Sequence, residues 1–400
     1  MSLTAHTGDE VSVGRAILAG ACASLVGIGL ARFAYTPLVP VLVTEQWFTP
    51  VQAAYLGGAN LVGYLAGALG ARRISAAAPT SVVMRTLMLV ATASFFACAH
   101  PTAFSWFLVW RVIAGFCGGA LMVLAANAVL PHVPLARHGL AGGAIFTGVG
   151  LGIAASGLLV PVLLWWGLGA TWNGFGILSL LLTLLAWSGW PPHAGGRAIG
   201  AEIEERRLPS PRALLALYVA YGLNAVGLVP HMLFLVDFIA RELGQGLIAG
   251  ARYWVVFGMG AVAGPLLAGF VADRVGFGLA MRLALLAQAL SVGLVALADG
   301  PIALLISSAV VGAFVPGVVP LALGRVHTLV SGVQDRKRAW SLCTAAFALG
   351  QAGAAYAFSY VFAQTAGAYR PLFVAGAAVL LLALAVDLIW QRSSGVAKAG

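Results

Sequence analysis

The sequence predicts an all-α polytopic membrane protein, with twelve transmembrane helices arranged as two six-helix bundles. Three observations predict it. Hydrophobic residues make up 61% of the 400 and charged residues only 8%, outside the range of ordinary soluble domains. Apolar runs long enough to cross a bilayer, about 20 residues each, follow one another with short polar gaps. One long hydrophilic stretch, "PPHAGGRAIGAEIEERRLPSPR" (191–212), falls near the middle and reads as a linker.

Apolar runs bounded by polar or Pro/Gly-rich breaks place helices near residues 15–43, 51–71, 81–99, 103–130, 139–165 and 169–190. After the linker they recur near 213–239, 250–271, 279–298, 301–324, 339–364 and 369–391. The organisation is a first bundle over 1–190, the linker over 191–212 and a second bundle over 213–400. The halves also show short collinear matches: "GLARFAYTP" (29–37) over "GLNAVGLVP" (222–230), "GYLAGALG" (63–70) over "GFVADRVG" (269–276), and "IFTGVGLG" (145–152) over "AFALGQAG" (346–353). Parallel halves with a site between them near the bilayer midplane are a transporter architecture.

The net charge is +10, but the basic residues lie in short loops between apolar runs, which argues for membrane orientation and against nucleic-acid binding. Most of the 22 Lys and Arg fall on the side of the termini and linker, so the positive-inside rule predicts both termini in the cytoplasm. The opening "MSLTAHTGDE" is acidic where a secretory signal is basic, so the first helix reads as a retained span. Cys22, Cys98, Cys117 and Cys343 stand apart, with no metal-ligand spacing, and are expected as free thiols. Neither a nucleophile with its base nor a phosphate loop is legible, so no enzyme is predicted and no cofactor is expected.

Arg32 lies near the middle of the first span, where a charge is costly unless it meets water or a partner. The acidic residues sit in tails, loops or helix ends, so no carboxylate is evident for it, and an anionic substrate would supply one. The alternative is that Arg32 satisfies carbonyls freed by Pro37 and Pro40. Arg111 is a second intramembrane arginine, for substrate contact or for packing between helices. Asn224 and His231 are seven residues apart and share a helix face. His231 is the candidate proton carrier, or else a hydrogen bond to a neighbouring helix. Asn60 with Tyr64, and Phe347 with Gln351, are i, i+4 pairs that could line the same cavity or pack. Asp237 has Arg241 at i+4, an ordinary ion pair near the surface.

The loop "GFVADRVGFGLAMR" (269–282), with the order of helices and linker, resembles the major facilitator superfamily, whose G-x-x-x-D-R-x-G loop recurs in each half. By that resemblance Gly269, Asp273 and Arg274 are gating residues, with Asp273 holding the start of span eleven or Arg336 or Arg338. In the first half Gly67 and Ala68 replace the charged pair. "RVIAGFCGG" (111–119) is similar to the superfamily's helix-four arginine motif, and "GIGLARFAYTPLVP" (27–40) resembles its bacterial YbfB/YjiJ branch. The resemblance implies a monomeric secondary transporter of the bacterial inner membrane, working by alternating access. With the arginine it points to a small organic anion moved with a proton, as in a symporter. An exporter of amphipathic drugs or metabolites and a non-transporting receptor are the alternatives.

Overall fold

The computed structural model describes residues 12–134, 138–191 and 211–393. The linker apart from its ends, Arg137, and the terminal stretches 1–11 and 394–400 lie outside the described residues. Among the described residues the chain is all helix, without strands. The first span, Val13–Thr44, is built in four pieces. Helix α1 (Val13–Ser24) runs into a π-helical turn over Leu25–Leu30, then a 3₁₀ stretch over Phe33–Leu38, and finally α2 (Val39–Thr44). There follow α3 (Pro50–Ala77), α4 (Thr80–Ala97), α5 (Phe104–Val129), α6 (His138–Leu163) and α7 (Leu168–Ala186). The second half comprises α8 (Pro211–Asp237), α9 (Gly246–Leu297), α10 (Pro301–Leu329), α11 (Val333–Gln364) and α12 (Arg370–Ser393).

Nine helices among the described residues are long and apolar enough to cross a membrane. One of them, α9, has 52 residues, roughly 78 Å at 1.5 Å per residue, far more than a bilayer's hydrocarbon thickness. It bends at Gly276, whose φ of 80° suits a residue without Cβ, and so has the length for two crossings. Helices α3 and α11, with 28 and 32 residues, have spanning length but more polar character.

Apolar burial between helices gains little in lipid, so close backbone approach through small residues must hold them. Gly63, Gly67, Gly115 and Gly119 do this between α3 and α5. A Cβ on Gly67 would lie 1.9 Å from the Phe116 carbonyl oxygen, and one on Gly115 1.9 Å from that of Asn60. In the second half Gly260, Gly264 and Gly312 bring α9 against α10 in the same way, with a Gly264 Cβ meeting the Ala313 carbonyl at 1.8 Å. These contacts correct the sequence register: Gly63 and Gly67 correspond in role to Gly260 and Gly264, not to Gly269 and Asp273. Gly67 stands mid-helix for packing.

The chain halves meet along α3–α11, along α6–α9, and where the first span touches α8. At the end far from Val13 this seam is tight. Thr36 Oγ1 donates to the Met232 carbonyl at 2.6 Å, and Trp254 Nε1 to Ser156 Oγ at 3.1 Å. A Cβ on Gly57 would strike Leu233 at 2.9 Å. Towards the end that carries Val13, α6 and α9 part: a Cβ on Gly143 would first meet an atom at 4.0 Å, and one on Gly142 or Gly269 would meet nothing within 4 Å. The close cross-seam contacts between the first span and α8 and between α6 and α9 thus lie towards the end far from Val13.

Candidate functional site

Arg32 occupies the junction between the π turn and the 3₁₀ stretch (φ −101°, ψ −56°). The break comes at the arginine itself, before Pro37 and Pro40, and leaves the backbone short of α-helical partners. The Ala31 carbonyl is satisfied from outside: Arg111 Nη1 donates to it at 2.8 Å and Asn60 Nδ2 at 3.4 Å. Asn60 also donates to the Arg111 carbonyl at 3.2 Å, and the Arg111 guanidinium lies 4.2 Å from the centre of the Tyr35 ring. Carbonyl satisfaction, considered for Arg32, is thus carried out by Arg111 and Asn60. Buried charge is costly, and carbonyl dipoles with an aromatic face offset it.

Arg32 is only partly buried. Its Nη2 donates to Gln351 Oε1 at 3.0 Å and lies 3.9 Å from the Met232 sulfur. The guanidinium sits 4.9 Å from the Phe33 ring centre and 5.1 Å from that of Tyr64. Among the described residues no carboxylate pairs with it. Phe347, one turn before Gln351 on α11, packs on Tyr221 with ring centres 4.7 Å apart. The structure therefore brings Arg32, Tyr64 and Gln351 together, with Arg111 and Asn60 directly behind and Phe347 one turn away.

Two small cavities lie beside this group. One, of about 10 Å³, is bounded by Arg32, Asn60, Arg111, Met232, Gly57 and Leu233. The other, of similar volume towards the far end, has Tyr35, Asp237 and Phe362 in its wall. Gly57 and Leu233 line both, so the pair forms a partition between them.

Asn224 and His231 do share a face of α8, but it turns away from Arg32. Successive helical positions differ by about 100°, and Met232, one residue on, is what α8 presents to the arginine. His231 is fully buried, its Nε2 2.7 Å from Ser307 Oγ and its ring edge-on to Phe373. Ser307 donates its one proton to the Ser291 carbonyl at 2.6 Å, so Nε2 of His231 carries the hydrogen in that bond. Asn224 donates to Gln288 Oε1 at 2.8 Å. Both side chains thus point among α9, α10 and α12, correcting the expectation that they look into the cavity.

The segment bearing Gly269, Asp273 and Arg274 makes no ion pair to span eleven among the described residues. Asp273 is exposed and pairs with no described residue. Arg274 turns back to the Phe270 carbonyl at 3.1 Å and its ring, while Arg336 donates to the Val330 carbonyl at 2.8 Å. Sequence reasoning missed one buried acidic cluster and the burial of a second. Asp387 on α12 joins Arg282 and Arg325 at 2.7 and 3.2 Å. Asp237 does pair with Arg241 at 2.6 Å, yet it is 2% exposed and also accepts from Tyr369 at 2.5 Å. The approach of a polar tyrosine or a second arginine from another helix leaves no local spacing to read.

A helical membrane protein whose chain halves meet on such a seam, with an arginine at a broken first span, belongs to the membrane transporters of the major facilitator superfamily. Residues 24–388 match the family described as "Uncharacterised MFS-type transporter YbfB", and the chain belongs to it. A chloramphenicol resistance protein of Streptomyces lividans is 26% identical over 379 residues, 91% of this chain and 92% of that protein. Among solved structures, a bacterial homolog of the human lysosomal transporter Spinster, inward-facing and unoccupied, is similar at TM-score 0.71 and 16% identity, over 96% of this chain and 98% of that one. The nucleoside transporter NupG is similar at TM-score 0.74 and 13% identity, over 94% and 99%. At these identities the two structures speak for the fold.

Proposed function

We propose that the protein is a twelve-span secondary transporter that moves a small organic anion by alternating access, with Arg32 as the anion's counter-charge. The carrying observation is the arginine itself, partly exposed in the seam and held by Gln351 and aromatic faces without a carboxylate. Such a charge is stabilised when a substrate brings the missing one. In this reading the bundles span 1–190 and 213–400, and the apolar clusters support the division. Two take their buried residues only from before 191, with Leu247 packed against one of them, and the third takes its buried residues mainly from after 216. The protein acts as a monomer in a bacterial inner membrane, with both termini cytoplasmic. The close far-end contacts then make the conformation inward-facing, and Asp273 with Arg274 closes the inner side when the halves rock. Proton coupling belongs to the same proposal: the bare Nδ1 of His231, unpaired among the described residues, is the acceptor.

A thermal-shift screen of small carboxylates on wild type and Arg32→Gln tests the core of this, since binding to the folded state raises its melting temperature. Stabilisation of the wild type alone is expected; equal stabilisation of both proteins refutes it. A second reading, export of amphipathic compounds, is favoured by the similarity to the chloramphenicol resistance protein. It predicts that chloramphenicol stabilises both proteins equally and that expressing cells tolerate more of it.

A further inference from the structure

We propose that the Arg32 site selects an aromatic carboxylate, in which a planar ring carries the anionic group. This rests on the anion reading above and narrows it. The first observation concerns unused donors. Of the three guanidinium nitrogens of Arg32, Nη2 alone has a hydrogen-bond partner among the described residues. The other two are not among the sealed, unpartnered buried atoms, whereas Nε of Arg111 is. Arg32 therefore keeps donors open to the seam, enough for a carboxylate.

The second observation is what surrounds those donors. Phe33 and Tyr64 face the guanidinium from two sides. Beyond Phe33 lies Trp254, 6.1 Å between ring centres, itself stacked on Phe257 at 4.7 Å. Towards the end bearing Val13, the α11 face that carries Gln351 continues through Phe347 and Trp340, at i−4 and i−11 on one side of the helix. Both are partly exposed, and both pack on Tyr221, at 4.7 and 6.2 Å. The partly exposed rings towards the arginine are thus Phe347 and Trp340, backed by the buried Phe33 and Tyr64 at the guanidinium. Gln351 is the one neutral amide among the described residues that hydrogen-bonds the arginine. A polyol would leave its hydroxyls unpaired against such walls. An aliphatic acid would satisfy the arginine and gain nothing from ring stacking. A flat ring bearing a carboxylate uses both features, since offset and edge-on ring pairs attract beyond their buried area.

The test uses the full-length purified protein and three matched probes: benzoate, cyclohexanecarboxylate and benzamide. Titration calorimetry is run on wild type, Arg32→Gln and Phe347→Leu. Benzoate is expected to bind wild type roughly tenfold tighter than cyclohexanecarboxylate, and Phe347→Leu to shrink that ratio. Arg32→Gln should abolish binding of both acids, and benzamide should not bind. Equal affinities for the two acids in wild type overturn the aromatic selection and leave the anion reading intact. Benzamide binding as tightly as benzoate, and surviving Arg32→Gln, overturns the anion reading itself. Failure of both acids to bind wild type overturns both. If Phe347→Leu does not fold, the wild-type ratio decides alone.

Discussion

Replacing Gly115 by alanine tests the claim that close backbone contact between α3 and α5 holds the site in shape. The added Cβ would lie 1.9 Å from the Asn60 carbonyl oxygen, 2.8 Å from its carbon and 3.0 Å from the Tyr64 nitrogen. All three are backbone atoms of a helix, so no rotamer change relieves the clash. Ordinary contact begins near 3.4 Å, so the helices must part by about 1.5 Å locally. Overpacking of this kind costs roughly 1–3 kcal/mol, and the upper end applies where the obstacle is backbone. The same displacement drags Asn60 from the Ala31 and Arg111 carbonyls it bonds at 3.4 and 3.2 Å. The matched control is Gly269→Ala, also within a helix, whose Cβ meets nothing within 4 Å and which should be neutral or gain up to about 1 kcal/mol from helix propensity. In thermal unfolding in detergent, Gly115→Ala should melt at least several degrees below Gly269→Ala. Equal melting of the two would refute the packing argument.

Three further outcomes are expected. Asp387→Asn leaves Arg282 and Arg325 facing each other without their carboxylate and should cost about 3–5 kcal/mol. Asp299→Asn, which breaks an exposed pair with Arg370, should cost less than about 1 kcal/mol; comparable melting of the two variants contradicts this ordering. Arg111→Met removes the charged donor to the Ala31 carbonyl and should destabilise by about 1.5–3 kcal/mol, read as a lower melting temperature without ligand; an unchanged value defeats the assignment. Thr36→Val deletes the bond to the Met232 carbonyl, worth about 0.5–1.5 kcal/mol. It should lower the melting temperature by about a degree or more; an unchanged value would count against this bond.

Much of the fold is legible because bilayer length and Pro/Gly breaks set helix ends. The expected 51–71, 103–130 and 369–391 became Pro50–Ala77, Phe104–Val129 and Arg370–Ser393. Arg32 with Tyr64 and Gln351 was legible too, because a charge inside an apolar run and i, i+4 polar pairs are local signals. What failed was direction. His231 and Met232 are neighbours in sequence but point to different places, and nothing in one helix says which of its faces meets the other half. The glycine repeats misled for a related reason: Gly-x-x-x-Gly serves both a loop motif and a helix contact, and only the packed partner distinguishes them. Asp237 and Asp387, at helix ends, read as solvated, yet arginines from their own and neighbouring helices enclose them.

The winding of the first span has a geometric corollary. A π turn advances roughly 80° per residue, a 3₁₀ turn 120° and an α-helix 100°. Six residues of each irregular kind therefore under-rotate and over-rotate the chain by about a third of a turn apiece, and the two deviations cancel. The ends of the span keep the phase of an unbroken helix while Arg32, between them, is swung well off the line that phase would assign it. Relaxation of the wide turn alone would undo the cancellation. The stretch bearing Val13 would then revolve by about a third of a circumference, lifting the Ala21 carbonyl off Gly148, against which it is now pressed.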